Sequence, residues 1–378
     1  MTATPTSSPD QHRLATLEHQ YRAALLDDVI PFWERHSPDY EAGGYFTCLD
    51  REGKVFDTDK FVWLQGREVW MFSLLYNRVE QRTGWRDMAR LGADFLRAHG
   101  MDGQGNWYFS LTREGDPLVQ PYNIFSDCFA AMAFAQYSIA SGDERAGAIA
   151  VETFRNIVRR MDNPKGVYSK AVPWTRPAVS LALPMIMSNL ALQLESVLPL
   201  EEVEDIIHKS VTRITTLFLD KERQLLFENV APDGSHPDTF DGRLINPGHG
   251  IESTWFLMDI AQRQGNRPLV ETAVEIMLHT IEFGWDEEHG GIFYFRDIAE
   301  KPPDRLDWDQ KLWWVHLETL VALLKAYSLT GRSECWTWFE RIHEYTWARF
   351  PDPSFGEWFG YLNRRGEVLL PLKGGKWK

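Results

Sequence analysis

What most constrains this chain is an internal repeat. A glycine, then aromatic residues, then a charged turn with glycine, occurs as "GYFTCLDREGKV" from Gly44, "GNWYFSLTREGDPL" from Gly105 and "GEWFGYLNRRGEVL" from Gly356. Fainter copies begin at Gly166 ("GVYSK"), Gln224 ("QLLFENVAPDGS") and Gly291 ("GIFYFRD"). Successive starts lie 61, 61, 58, 67 and 65 residues apart, so six units of one kind succeed one another.

After each hairpin motif, two amphipathic stretches follow. Phe61, Leu64, Val69, Phe72, Leu75 and Val79 recur at helical spacing and predict a helix over 60–81. After a break at Thr83-Gly84 the sequence predicts a second helix over 85–99. The same pair is expected over 123–140 and 143–161, and again over 309–329 and 333–350. Such helical hairpins cannot each bury an apolar face alone, so they must share a core. An open solenoid would show special capping units. Here a helix over 10–36 precedes the first hairpin and no helices follow the sixth, which is the offset of a closed ring. The expected fold is all-α, an (α/α)6 barrel with short β-hairpins at the mouths of its inner helices, in a single domain over 1–378. An irregular all-α protein is the weaker alternative.

Composition excludes several classes. With 40 Lys+Arg against 54 Asp+Glu, a net charge of −14 and no basic block, nucleic acid and anionic membranes are poor partners. The 16 Trp, 22 Phe and 12 Tyr exclude a disordered chain. Cys48, Cys128 and Cys335 are odd in number and far apart, as expected of reduced thiols in the cytoplasm. The opening "MTATPTSSPDQHRLATLEHQ" has no apolar core for a signal peptide, and no membrane span is expected.

In such a ring, the start of every inner helix faces the same end of the lumen. Arg67 falls 23 residues after its anchor, His249 25 residues after, and Glu318 27 residues after. Glu252 lies one turn beyond His249, on the same helical face. "DKFVWLQGREVW" and "DQKLWWVHLETL" align as Lys, apolar, any, Trp, apolar, Gln/His, any, Arg/Glu. Asn246-Pro247-Gly248 suits a helix start, and a neutral His there is well placed to move protons near pH 7. Trp63 near Arg67, and Trp313 and Trp314 near Glu318, suit a sugar's apolar faces and hydroxyl edges. Arg67 could instead pair Glu68 on a solvated face, and Glu252 with Glu318 could be a glycosidase pair, which needs carboxyls about 5–9.5 Å apart. No His-Glu-x-x-His metal motif occurs, and Gly248-His249-Gly250 is no phosphate loop. "LKGGKWK" lacks a P-loop's strand-to-helix setting and reads as a loop entering a sixth inner helix.

The segments "DTDKFVWLQGREVW", "PYNIFSDCFAAMAF", "RLINPGHGIESTWF", "WDQKLWWVHLETLVAL" and "GEWFGYLNRRGEVLLPLKGGKWK" resemble the N-acylglucosamine 2-epimerase (renin-binding protein) family over nearly the whole chain. The resemblance implies an isomerase that interconverts N-acetylglucosamine and N-acetylmannosamine, commonly as a homodimer, with no metal and with ATP as a non-consumed activator. It implies His249 as general acid/base with Glu252 beside it, Arg67 at the substrate's carbonyl side, and Glu318 completing the polar set. Trp63, Tyr122, Asn123, Asp127, Trp313 and Trp314 would bind substrate. Related sugar isomerases and cellobiose 2-epimerases carry a His on the third inner helix. "TRPAVSLALPMIMSNL" has none, which favours the acylamino-sugar branch over those two; a glycoside hydrolase or a protein-binding module stands further off. The resemblance also places a second catalytic His after "KGGKWK", and counting from Gly356 puts a sixth lumen residue at 379–383. The expectation is therefore a chain that stops before its sixth inner helix.

Overall fold

The structure, a computed structural model, describes residues 11–168, 172 and 174–378. The first ten residues, and part of the "GVYSK" copy, lie outside the described residues. Helix α1 (Gln11–Ala23) runs through a π-helical turn (Ala24–Val29) into α2 (Ile30–His36), giving the continuous helical segment expected before the first hairpin. Next come α3 (Val62–Arg78) and α4 (Thr83–His99), then α5 (Phe125–Ser141) and α6 (Glu144–Arg160), then α7 (Ala182–Gln193) and α8 (Leu200–Arg213). The short α9 (Phe240–Arg243) precedes α10 (Pro247–Gln264) and α11 (Arg267–Gly284), and α12 (Trp313–Thr330) and α13 (Ser333–Arg349) follow. Among the described residues no helix is long and apolar enough to cross a membrane.

The two members of a pair differ in what they bury. In α5 the consecutive residues Ala130, Ala131, Met132, Ala133 and Phe134 are all buried, so the helix is enclosed on every side. Its partner α6 buries Ala146, Ala150, Thr153, Phe154 and Ile157, a single stripe with water on the other face. Helices α3 and α4 divide the same way. Left-handed glycines end three of the enclosed helices: Gly142 after α5, Gly265 after α10 and Gly331 after α12, at φ 74°, 64° and 70°. The break expected at Thr83-Gly84 falls earlier, over 79–82, because Thr83 already begins α4.

The chain groups into two compact units. One holds the described residues of Met1–Val29, Val172–Ser188 and Ile207–Pro371, the other those of Ile30–Ala171, Asn189–Ile206 and Leu372–Lys378. In the second, α3 packs on α4 and α5, and α5 on α6. Gly66 lets α3 approach α5 closely, since a Cβ there would sit 2.9 Å from the Phe129 backbone. In the first, α10 packs on α11 and α12, and α12 on α13.

Short antiparallel strands repeat one connection. The strand before an enclosed helix pairs with the hairpin of the next copy: 60–61 with 110–111, 244–245 with 296–297, and 311–312 with 361–362. Leu372 bridges Asp50 of the first hairpin in the same manner, and the Lys373 N–H donates to the Leu49 carbonyl. The repeat anchors share a left-handed backbone: φ is 71° at Gly44, 79° at Gly105, 76° at Gly291 and 72° at Gly356. Gln224 adopts the same conformation at φ 54° without being glycine, which is why its copy is faint in sequence. The Gly166 copy forms only a 3₁₀ turn (Gly166–Tyr168) among the described residues.

Candidate active site

Asn246 and Pro247 start α10 as their chemistry predicts. The Asn246 Oδ1 accepts from the His249 N–H at 3.2 Å, and Pro247 occupies the first turn, where no N–H is needed. Over 247–261 of this mostly buried helix His249, Glu252, Trp255 and Asp259 are the partly exposed residues, three or four apart, so they form one stripe. The His249 Nδ1 lies 2.9 Å from the Glu228 Oε2, and the ring packs on Trp314 with centroids 5.5 Å apart. Gly248 makes room for that indole, because a Cβ there would come within 2.6 Å of it. Among the described residues the His249 Nε2 makes no hydrogen bond, and the side chain keeps 25% exposure. Burial works against charging this ring, but the charge and hydrogen bond of Glu228 and the charge of Glu252 outweigh it and raise its pKa.

Helix α12 turns a matching stripe toward α10. Trp314 covers His249, and the Trp255 Nε1–H donates to the Glu318 Oε2 at 2.6 Å. Lys325 pairs with Asp259 further along. Trp313 meets Tyr361 edge to face at 5.9 Å. His316 does something else: fully buried, its Nδ1 faces the Leu312 carbonyl at 2.7 Å and its Nε2 accepts the Ile292 N–H at 3.1 Å. Burial pushes this imidazole down to about 3, so it is a neutral structural pin for the hairpin. His249, Glu252, Trp314 and Glu318 are thus brought together between two adjacent helices.

In the other unit, Arg67 is an exposed residue of α3 with its guanidinium 4.9 Å from the centre of the Phe129 ring. It does not pair with Glu68, which faces the core. The Glu68 Oε2 and the Trp33 carbonyl both lie within 2.9 Å of the Ser37 hydroxyl, and burial pushes the Glu68 carboxyl up to about 8. Trp63 packs against Phe129 and Trp377, and Tyr122 against Phe109. The Asn123 Oδ1 accepts the Phe125 N–H at the start of α5. Asp127 is fully buried, with its Oδ1 2.9 Å from Arg160; burial pushes it up to about 7 against the pull of that cation. The pair ties the first turn of α5 to the last turn of α6.

Sequence reasoning missed Glu228. It sits in "LLFENV" of the faint fourth hairpin, where a single acidic residue among buried neighbours was the available signal. Among the described residues no cluster of three or more His, Cys, Asp or Glu could hold a metal ion, and all three cysteines are buried and unpaired.

Comparison with known proteins bears on the chemistry of this site. The N-acylglucosamine 2-epimerase family model matches residues 44–378. The N-acylglucosamine 2-epimerase of Bos taurus is 39% identical over 94% of this chain and 86% of its own length; that of Homo sapiens is 38% identical over 93% and 84%. The cellobiose 2-epimerase of Bacillus thermoamylovorans B4167 shares the fold, with a TM-score of 0.83 at 20% identity and 96% coverage of both chains. Together with the motifs in α3, α10 and α12, these matches establish that the chain belongs to the N-acylglucosamine 2-epimerase family.

Proposed function

We propose that the chain interconverts N-acetyl-D-glucosamine and N-acetyl-D-mannosamine by removing and returning the proton at C2 of the open-chain sugar. The observation that carries this is His249: its Nδ1 is held by Glu228, one face is covered by Trp314, and its Nε2 is left for a substrate proton. In the aldehyde form the C2 proton is acidified by the adjacent carbonyl. His249 Nε2 takes it, leaving a planar 2-acetamido enolate with its charge on the carbonyl oxygen; inversion requires that a second acid protonate C2 from the opposite face. Arg67 stabilises the developing oxyanion, an interaction worth a few kcal/mol (about 3) when preorganised. Glu318, fixed by Trp255, and Glu252 hold sugar hydroxyls, and Trp63, Trp313 and Trp314 supply apolar faces. The absence of His from α7 supports an acylamino sugar over cellobiose or a neutral aldose.

The repeated strand-to-next-hairpin pairing, continued by Leu372 at the first hairpin, supports a six-membered (α/α)6 barrel in a single domain. On the family resemblance, we propose a cytoplasmic homodimer with ATP as an unconsumed activator.

The test is incubation with N-acetylmannosamine in deuterated water, with and without ATP. Deuterium should enter C2 of both epimers, and His249→Ala should abolish exchange while leaving the circular dichroism unchanged. Wild-type-like exchange in that variant refutes the assignment. Release of reducing sugar from an oligosaccharide without C2 exchange would point to a hydrolase.

A further inference from the structure

Building on the epimerase reading, we infer that Glu228 is the positioning residue of the reaction: it fixes the His249 tautomer with Nε2 bare and stabilises the imidazolium formed when Nε2 takes the C2 proton. Three observations support this. The carboxylate can only accept, so the 2.9 Å contact puts the ring hydrogen on Nδ1. Glu228 is itself held rigidly, because its carbonyl accepts the Leu181 N–H at 2.9 Å and its N–H donates to the Leu244 carbonyl at 3.0 Å. Leu244 belongs to the strand that enters α10, so carboxylate and imidazole are tied to one piece of backbone two residues before the Asn246 cap. Finally, the Trp314 indole lies beside the ring, with centroids 5.5 Å apart and the planes tilted by 33°.

The groups around the imidazole define its electrostatics. Glu228 comes from the hairpin and Glu252 from its own helix; Trp314, from α12, is uncharged. Tyr294 meets Trp314 edge to face and feels the charge of Glu228, but burial first, then neighbouring acids, push its phenol up to about 12, so it stays neutral across the working range. Among the described residues Glu228 is thus the one charged group bonded to the ring, and removing its charge must be felt at Nε2.

The test uses the whole chain with Glu228→Gln, which keeps shape and an acceptor but loses the charge. General acid–base catalysis contributes about 10²–10⁴-fold, so losing its orienter should lower kcat by about 10- to 100-fold with little change in KM. The acid limb of kcat/KM, which reports the neutral base, should move to lower pH because the imidazolium has lost its counter-charge. Nitrogen NMR of the His249 ring, its signals assigned by their loss in His249→Asn, should show the same downward movement without any substrate. Glu228→Asp, retaining the charge, should recover turnover relative to Glu228→Gln and keep the limb near its original place. An unmoved limb and ring titration in Glu228→Gln, or equal losses in the Gln and Asp variants, overturns the inference. Absence of C2 exchange in the unmodified protein would defeat the epimerase reading instead, and the substrate-free ring titration would still decide the role of Glu228.

Discussion

In the first copy of the repeat, Asp39 lies between Lys60 at 3.0 Å and Arg113 at 2.8 Å, and both cations sit over Phe46. In the fifth, Asp286 lies between Lys311 at 3.2 Å and Arg364 at 2.9 Å, and both cations sit over Phe293. Each Lys enters its enclosed helix, each Asp opens the hairpin, and each Arg arrives from the next copy. Two residues into α12 and α3 beyond the shared Trp, the pattern holds again: Gln65 bonds the backbone of Tyr45, and His316 the backbone of Ile292, each the residue after the glycine anchor. The copies part at the next outward position, where one carries Arg67 and the other Glu318. The scaffold repeats its buried ions and pins, while this outward position differs between the two copies.

The buried carboxylates offer the hardest way to break this equivalence. Lys60 and Lys311 are fully buried, so Asp39→Ala and Asp286→Ala each leave an ammonium without its main counter-charge. Each should cost about 3–5 kcal/mol in denaturant unfolding. Similar losses in both variants uphold the repeat; a large loss in one and under about 1 kcal/mol in the other would show that the two clusters do different work.

At the divergent position the readout should invert. Arg67 is exposed, and Arg67→Ala should change stability by no more than about 0.5 kcal/mol. Turnover should fall by about 10²–10³-fold if Arg67 stabilises the oxyanion. Glu318→Gln should likewise reduce turnover with the fold retained, since Gln still accepts from Trp255. Activity within twofold of the parent in either variant would remove that residue from the reaction.

How much of this was legible follows from the same comparison. The alignment of Lys60 with Lys311, Trp63 with Trp314 and Gln65 with His316 could be read directly, because enclosed helices with repeated anchors leave little freedom at those positions. The start of α10 could be read from Asn246-Pro247, since capping is local chemistry. Glu228 could not, because its partner is 21 residues away and the pairing depends on a strand crossing that spacing does not encode. Asp127 was expected to face the substrate; its burial against Arg160 reflects α5 being enclosed on the side where sequence alone sees only a polar residue in a helix.

The smallest effect separates the two pins. His316 is held neutral, down to about 3, whereas in the unfolded chain it titrates near its ordinary value of 6.5. Between those values the unfolded state binds a proton that the folded state refuses, so stability falls as pH falls from about 6.5 toward 3. Gln65 accepts the equivalent backbone N–H, that of Tyr45, with no titration at all, and donates to the Tyr45 carbonyl where His316 faces that of Leu312. His316→Gln should therefore copy the first repeat's solution into the fifth. Near pH 7.5, where both rings and amides are neutral, it should cost no more than about 1–2 kcal/mol for the altered fit against Tyr345. Between pH 6.5 and 4.5 it should lose about 2–3 kcal/mol less than the parent, because that proton no longer distinguishes the two states. His36 and His343, also held down by burial, and His249, raised by its carboxylates, are present in both proteins and cancel in the difference. Parallel stability curves for parent and variant across that window would mean that His316 accepts a proton in the folded protein, and that the fifth pin differs in kind from the first.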